Sequence, residues 1–273
     1  MVEVFQKAKS DFYDTYLSTK FELRKHYRRN RIQMAVLLAL VLASIFYIVP
    51  TIWDISIAES AGEFALINLS FVSLLVIIAG ALFAGDIISS EFENRTSLIL
   101  FPTPQDRNSI FVGKYIASVL STLLVLTIYY IVTAVEIQYV YGISSISTEF
   151  LKSYLFSIVY MCGAVSLIFF LSSILERAIT STLLGFFSLL MIMPIIEQVL
   201  KLVEVEPWFL ITYYDDFITD VLAVAQSTNF GGPPSAFITP FTPDFNTGII
   251  VILGYTMIFF LMSLVFADRR RVE

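Results

Sequence analysis

Two residue types that carry much of catalytic and covalent chemistry are nearly absent from this sequence. Its 273 residues include one cysteine, Cys162, and one histidine, His26. One cysteine excludes an intramolecular disulfide, and a single histidine without a second His or Cys cannot complete the usual transition-metal site. We therefore expect no catalytic residue, no bound metal and no cofactor in this chain. Cys162 is expected in an apolar core, and His26 on the basic side of an N-terminal helix.

Charge is also scarce, because only 15% of the residues are charged and 57% are hydrophobic. Such a composition is too apolar for a soluble globular domain. A helix needs about 20 residues with few charges to cross a bilayer. The sequence predicts an all-α membrane protein whose transmembrane domain covers residues 33–267. Six runs lack Asp, Glu, Lys and Arg: Met34–Trp53, Phe64–Gly85, Tyr115–Val135, Leu155–Leu175, Ala178–Ile196 and Phe245–Ala267.

The basic residues are distributed unevenly between the two sides of the predicted membrane domain. Six spans place both termini on one side, and that side carries all of the 17 Lys and Arg residues except Lys152 and Lys201. Because Lys and Arg accumulate in cytoplasmic segments, both termini are predicted to be cytoplasmic. This arrangement fits a multi-pass protein of a prokaryotic cytoplasmic membrane. The net charge of -6 argues against a nucleic-acid partner.

Residues 1–32 predict an amphipathic helix. Its aromatic and leucine residues recur at intervals of seven and four, which places them within about 60° of arc on a helix. We expect this helix to lie in the cytoplasmic headgroup layer, in contact with membrane lipids; the alternative is a soluble helix packed on a partner protein. The expected interface anchors are Phe5, Phe12, Tyr16, Lys25, Arg28 and Arg29, with Lys114 at the start of the third span.

The loop between the second and third spans, residues 86–110, carries polar residues in a fixed order. They are Glu91, Glu93, Thr96, an apolar segment from Leu98 to Phe101, Pro104, Arg107 and Ile110, followed by Gly113 and Lys114. This order resembles the loop of type-2 ABC exporter permeases, which runs roughly E-x-E, G-T, a leucine-rich turn, P-x-x-R, isoleucine and G-K. Arg95 departs from that pattern, where the family usually has glycine. The resemblance extends to the amphipathic helix, the six spans and a long outer segment.

This resemblance implies a permease subunit of an ATP-driven ABC transporter that exports or flips an amphipathic substrate. It implies a second permease copy and a separate ABC ATPase subunit, which receives a short coupling helix from the loop and holds ATP and Mg. The implied coupling residues are Glu91, Glu93, Thr96, Pro104 and Arg107. The chain itself lacks a phosphate-binding loop, because Asn108 occupies the first glycine position before Gly113-Lys114 and Tyr115 follows the lysine.

Residues 197–246 predict an outer segment with a short helix, and residues 268–273 a basic cytoplasmic tail. Asp215 and Asp216 stand where a helix would be capped, ahead of an apolar series at helical spacing. We expect this helix to lie on the outer leaflet or to dip into it, as re-entrant helices do in related exporters. The candidate gate residues are Phe217, Ile218, Val221 and Leu222. A metal site built from the outer acids is the weaker alternative, since their spacing fits no calcium loop.

Two other classes of membrane protein remain as alternatives to an ABC permease. A non-ABC channel would be expected to carry rings of charge or a filter-like loop, and neither is found in the sequence. A membrane scaffold without transport activity would not need the ordered loop. The residues do not identify the substrate, and they do not distinguish export from flipping or from a mechanical role.

Overall fold

The computed structural model describes residues 2–54, 58–94, 106–142, 147–226 and 244–269, with side chains described from residue 11 onward except at 223–226, 268 and 269. Within these ranges the regular structure is helical and contains no β-strand. Six helices are long and apolar enough to cross a membrane. The predicted all-α fold with six spans is therefore confirmed.

Four of the spans are continuous helices, and a long helix precedes them at the N-terminus. The N-terminal helix, Val2–Arg28, turns into the first span at Asn30, whose φ of 56° is a left-handed conformation that asparagine tolerates. The continuous spans are the first, Arg31–Ile52, the third, Arg107–Tyr141, the fourth, Thr148–Ile174, and the sixth, Phe245–Arg269.

The second span is interrupted, and its pieces are Ala61–Leu69, Val72–Ala84 and the short helix Ser89–Glu93. Close to the first interruption, the buried side chain of Asn68 donates from Nδ2 to the carbonyl oxygen of Ala43, 2.9 Å away, and accepts from Thr133 Oγ1 at 3.1 Å. The Tyr129 hydroxyl donates to the backbone carbonyl of Asn68 at 2.7 Å. These bonds tie the first three spans together in a region where unpaired polar groups are costly.

The fifth span changes its helical geometry midway. Its pieces are Ala178–Phe187, a π-helical turn Ser188–Ile192, and Met193–Leu202. Pro194 lacks an amide hydrogen and its ring crowds the preceding turn, so the chain widens there and the Met193 amide bonds to the Ser188 carbonyl. The distortion that Pro194 predicts thus takes the form of a π-helical turn.

The fourth span lies at the centre of the bundle. It packs against the second, third and sixth spans and against the helix Phe217–Gln226. Of an apolar 18-residue stretch of this span, 67% is buried inside the protein. The corresponding share is 17% in the first and fifth spans and 11% in the sixth. The first, fifth and sixth spans therefore present most of their surface to lipid or to another protein.

The segment after the fifth span contains a 3₁₀ turn, Ile211–Tyr214, followed by the helix Phe217–Gln226. This short helix packs on the fourth span and on the Ala61–Leu69 piece of the second. Ser153 Oγ donates to the Ile218 carbonyl at 2.5 Å. Of the predicted gate residues, Phe217, Ile218 and Leu222 are buried and Val221 is half-buried. Their role in closing a pathway stays a prediction.

Candidate functional site

A buried lysine connects three helices. It follows the 86–110 loop in the sequence but lies beside the start of that loop in the fold. Lys114, with a side chain only 2% exposed, donates from Nζ to Glu22 Oε1 at 2.6 Å and also to the carboxylate of Glu91. Glu22 belongs to the N-terminal helix, Glu91 to the short helix Ser89–Glu93, and Lys114 to the third span. We call Glu22, Glu91 and Lys114 the ion-pair junction.

Gly113 allows the N-terminal helix to come close to the third span. A Cβ atom at this position would lie 2.6 Å from Ser18 Cβ and 2.8 Å from the Thr15 carbonyl oxygen, so any side chain would force the helices apart. The close approach is held by hydrogen bonds from Ser18 Oγ to the Ile110 carbonyl and from Thr19 Oγ1 to the Gly113 carbonyl. The adjacent residues Gly113 and Lys114 thus have a structural role. Gly113 permits the close contact between the two helices, and Lys114 forms an ion pair across that contact.

The charges of the junction stabilise one another despite their burial. Burial opposes ionisation of Glu22, but the ammonium groups of Lys114 and Lys25 outweigh it and hold the pKa of Glu22 at about 2. Lys25 lies 3.1 Å from Glu22 at the edge of the cluster. Removing one partner of a buried ion pair leaves an uncompensated charge and typically costs about 3–5 kcal/mol. The junction is therefore a stiff connection between its three helices.

A second ion pair fastens the beginning of the loop to the first span. Arg31 donates from its two terminal nitrogens to the two carboxylate oxygens of Asp86, at 2.6 and 2.5 Å. Its Nη1 group also donates to the Leu82 carbonyl at 3.0 Å. Such a two-point pair fixes orientation as well as distance. The end of the second span is thus held in place before the loop begins.

The same short segment also contacts the fourth and fifth spans. The Ser172 hydroxyl accepts hydrogen bonds from the backbone amides of Ile88 and Ser89 at 3.1 and 3.3 Å. Glu93 Oε2 accepts from the amide of Ala178 at 2.7 Å, at the first turn of the fifth span. A carboxylate is favourable at a helix N-terminus because free amides and the helix dipole concentrate there. Glu93 therefore caps a helix 85 residues further along the chain.

The predicted coupling residues are only partly brought together. Glu91 and Glu93 lie at the start of the loop and contact neighbouring helices, whereas Arg107 is exposed at the first turn of the third span. Thr96 and Pro104 lie outside the described residues. Binding of an ATPase by any of these residues stays a prediction.

The predicted membrane anchors occupy two different environments. Phe12, Tyr16, Arg28 and Arg29 are exposed on the N-terminal helix, and Lys25 is half-buried. The side chain of Phe5 lies outside the described residues. Lys114 is buried between two carboxylates, whereas the sequence predicted that it would contact lipid headgroups as an interface anchor. The reason is that Glu22, 92 residues away in the sequence, lies beside it in the fold.

His26, which the sequence predicted on the basic side of the N-terminal helix, and Asp86, which it did not single out, complete this region. His26 is 2% exposed, whereas a position on the basic side predicts a solvated ring; it meets Phe83 edge-on with ring centroids 5.2 Å apart. Among the described residues neither ring nitrogen has a hydrogen-bond partner, and burial lowers the pKa of His26 to about 4. The available signal was the spacing of Glu22 and His26, which are four residues apart and therefore share one helix face, beside the stripe of aromatic and leucine residues.

The acids at the end of the fifth span and in the segment after it are used in local contacts. Glu197 pairs with Lys201 at 2.7 Å, and Glu206 accepts from the Tyr213 hydroxyl at 3.3 Å. Asp215 has its pKa raised to about 8 by burial and by the charges of Asp216 and Glu197. In the described part of the chain, no group of three or more His, Cys, Asp or Glu residues could hold a metal ion.

Comparison with protein families identifies the class of protein to which this architecture belongs. Residues 6–272 match the family described as "ABC-2 family transporter protein". The chain therefore belongs to the ABC-2 transporter family, as the loop motif predicted, and is a multi-pass membrane transport component of the permease type. Members of this family associate generally with an ABC ATPase subunit and are not themselves catalytic. A comparison with curated proteins finds no significant match.

Proposed function

We propose that this chain is the transmembrane permease subunit of an ATP-driven exporter or flippase in a prokaryotic cytoplasmic membrane. Both termini and the 86–110 loop face the cytoplasm, where a separate nucleotide-binding subunit carries ATP and Mg and docks on the loop. Family membership supports the transport role. The observation that carries the proposal is the attachment of the start of the loop to several helices through the ion-pair junction and Glu93.

A motor can act on a membrane domain only if the element that it moves is connected to the spans. Lys114 connects the start of this loop to the N-terminal helix and the third span, Ser172 connects it to the fourth span, and Glu93 connects it to the fifth. Because the ionic connections are short and largely buried, a displacement of the loop is passed to these helices. A loop held only by solvated side chains would absorb the same displacement.

The transported substrate is proposed to be amphipathic, such as a lipid, a glycolipid, a peptide or a drug-like molecule. The exposed faces of the first, fifth and sixth spans are almost entirely aliphatic and aromatic. Such faces suit contact with lipid tails and with a second permease copy, and a pathway between two copies would be similarly apolar. The helix Phe217–Gln226 is proposed to close the outer end of this pathway.

The proposal is tested by expressing the full chain with its neighbouring genes and purifying the complex in mild detergent. We expect a nucleotide-binding subunit to co-purify in stoichiometric amount and to hydrolyse ATP in a vanadate-sensitive manner. Recovery of the chain alone, folded and without an ATPase, would contradict the proposal and favour a channel or a scaffold.

Coupling is tested in the same complex with the variant Glu91→Gln, which removes one charge of the junction. We expect the ATPase subunit to remain bound while transport per ATP hydrolysed falls, since the loop is then less firmly attached. Lys25→Gln is the matched control, because it removes a charge at the edge of the cluster and leaves both bonds of Lys114 in place. Equal transport in the two variants would remove the junction from the coupling route.

A further inference from the structure

A small pocket lies beside the ion-pair junction, between the N-terminal helix and the start of the 86–110 loop. It is lined by three cations, one carboxylate and three uncharged residues: Lys25, Arg29, Arg31, Asp86, His26, Ile87 and Ser90. As it stands the pocket has no room for a water molecule, and the exposed Arg29 and half-buried Lys25 stand among its lining residues. A ligand group would enter as these two long side chains move aside. We call this site the corner pocket.

The corner pocket contains an unsatisfied donor. A neutral imidazole has one N–H donor and one acceptor nitrogen, and a buried polar group without a partner lowers stability. His26 is buried, and within the described ranges both of its nitrogens lack a partner, although its ring is held in place against Phe83. A ligand that accepts a hydrogen bond would satisfy His26.

The charges around the pocket indicate the sign of such a ligand. Arg31 is matched by the two-point pair with Asp86, and Lys25 by Glu22, so these pairs are close to neutral. Arg29 makes no ion pair with any residue that the structure describes, which leaves an excess positive charge at the pocket. The same helix exposes the aromatic residues Phe12 and Tyr16. A basic pocket on a helix with an aromatic surface suits an anion at a membrane interface.

We propose that the corner pocket binds a phosphate group, carried either by the headgroup of an anionic phospholipid in the adjoining leaflet or by free phosphate. Arg29 and Lys25 supply the charge, and His26 and the hydroxyl of Ser90 supply hydrogen-bond donors. The bound group bridges the N-terminal helix and the start of the loop. Phosphate binding at this site goes beyond the proposed transport function and is expected in the isolated chain, without an ATPase subunit.

The test is native mass spectrometry of the full chain released from detergent with equimolar phosphatidylglycerol and phosphatidylcholine of identical acyl chains. The variants are Arg29→Ala and His26→Phe; the second keeps an aromatic ring against Phe83 and removes both nitrogens without changing the charge at neutral pH. Arg24→Ala is the matched control, since Arg24 is exposed on the same helix and is not among the lining residues. Size-exclusion chromatography confirms that each variant is folded, and His26→Asn restores a donor.

We expect the native chain to retain phosphatidylglycerol selectively. Arg29→Ala should weaken retention of phosphatidylglycerol about tenfold more than Arg24→Ala, because it removes one hydrogen bond to a charged group. His26→Phe should also reduce the selectivity, and His26→Asn should restore part of it. Equal effects of Arg24→Ala and Arg29→Ala, together with no effect of His26→Phe, would overturn the proposal, because binding would then be a general attraction to the basic surface.

A parallel arm adds inorganic phosphate to the same samples and identifies the source of the group. Displacement of the lipid by millimolar phosphate, with a bound phosphate adduct that His26→Phe loses, supports a site for free phosphate. Retention of the lipid in the presence of phosphate supports a headgroup site. Retention of neither phosphate nor phosphatidylglycerol by the native chain would overturn the proposal.

Discussion

The two ends of this helical bundle are held together by different chemistry. At the loop end, three helices meet around Lys114 and two carboxylates, and the charges are buried. Towards the opposite end, the spans are joined by neutral hydrogen bonds, among them those of Asn68 with Ala43 and Thr133.

A second neutral cluster lies beside the first, where the Tyr130 hydroxyl contacts the hydroxyls of Ser153 and Ser157 at 2.9 and 2.8 Å. Neutral hydrogen bonds within membranes contribute modestly, about 0.6 kcal/mol on average. Loss of one partner of a buried ion pair costs several times more. The loop end is therefore the stiff end, and the opposite end is the one in which helices can exchange partners at low cost.

The largest effect is expected from Lys114→Met. This variant leaves Glu22 and Glu91 buried without their shared cation, and we expect a loss of about 3–5 kcal/mol of stability, measured by thermal unfolding in detergent. The control Lys152→Met, at an exposed site, should change stability by less than about 0.5 kcal/mol. If the triple variant Glu22→Gln, Glu91→Gln, Lys114→Met does not regain part of the loss, unpaired charge is not its cause.

Acid pH should also weaken the loop end selectively. The pKa of His26 lies at about 4 in the folded chain because of burial, against 6.5 for an exposed histidine. The folded state thus binds fewer protons than the unfolded state between these values. The stability that depends on neutral His26 is present above about pH 6.5 and is lost as the pH falls towards 4, by about 2 kcal/mol at pH 5.

This pH dependence is measured by comparing the native chain with His26→Phe between pH 7 and pH 5. The variant should lose less stability over that interval. The charges that face His26, namely Glu22, Arg31, Lys25 and Asp86, are the same in both proteins, so the difference isolates the imidazole. Parallel curves for the two proteins would show that His26 is not the group that titrates.

At the opposite end, Asn68→Leu should have a smaller effect than Lys114→Met. It removes two side-chain hydrogen bonds, and we expect a loss of about 1–2 kcal/mol in detergent-solubilised protein. Ser70→Ala, at an exposed position two residues away, is the control and should be nearly neutral. A loss as large as that of Lys114→Met would contradict the contrast between a stiff end and a compliant end.

The smallest change in stability is expected from Glu93→Ala. The exposed Glu93 carboxylate caps the fifth span, and loss of a cap typically costs about 1 kcal/mol. Glu93→Asp provides the comparison, since it keeps the charge but shortens the reach. Transport per ATP hydrolysed should fall further than this small loss of stability suggests. An unchanged ratio would separate the fifth span from the coupling route.

The sequence predicts the spans well and the contacts between them poorly. Exclusion of charge from 20-residue runs is a strong local signal, and Pro194 marks a distortion because of its own chemistry. Asn68, a polar residue inside an apolar run, signals a buried partner but does not identify it.

The ion-pair junction illustrates why contacts are harder to predict. Lys114 is 23 residues from Glu91 and 92 residues from Glu22, and helical periodicity assigns a residue to a face without saying which helix covers that face. The motif that resembles ABC permeases drew attention to Glu91, Glu93 and Lys114. It contains no counterpart of Glu22, His26 or Asp86, which come from ordinary stretches of sequence.

The cap that Glu93 places on the fifth span makes the first turn of that helix a reporter of the position of the loop. When the carboxylate withdraws, the Ala178 amide loses its acceptor, and the first turn frays more often. Amide hydrogen exchange in residues 178–181 would therefore accelerate whenever the loop leaves its place. The protein thus carries an internal indicator of loop movement that needs neither a label nor a known substrate.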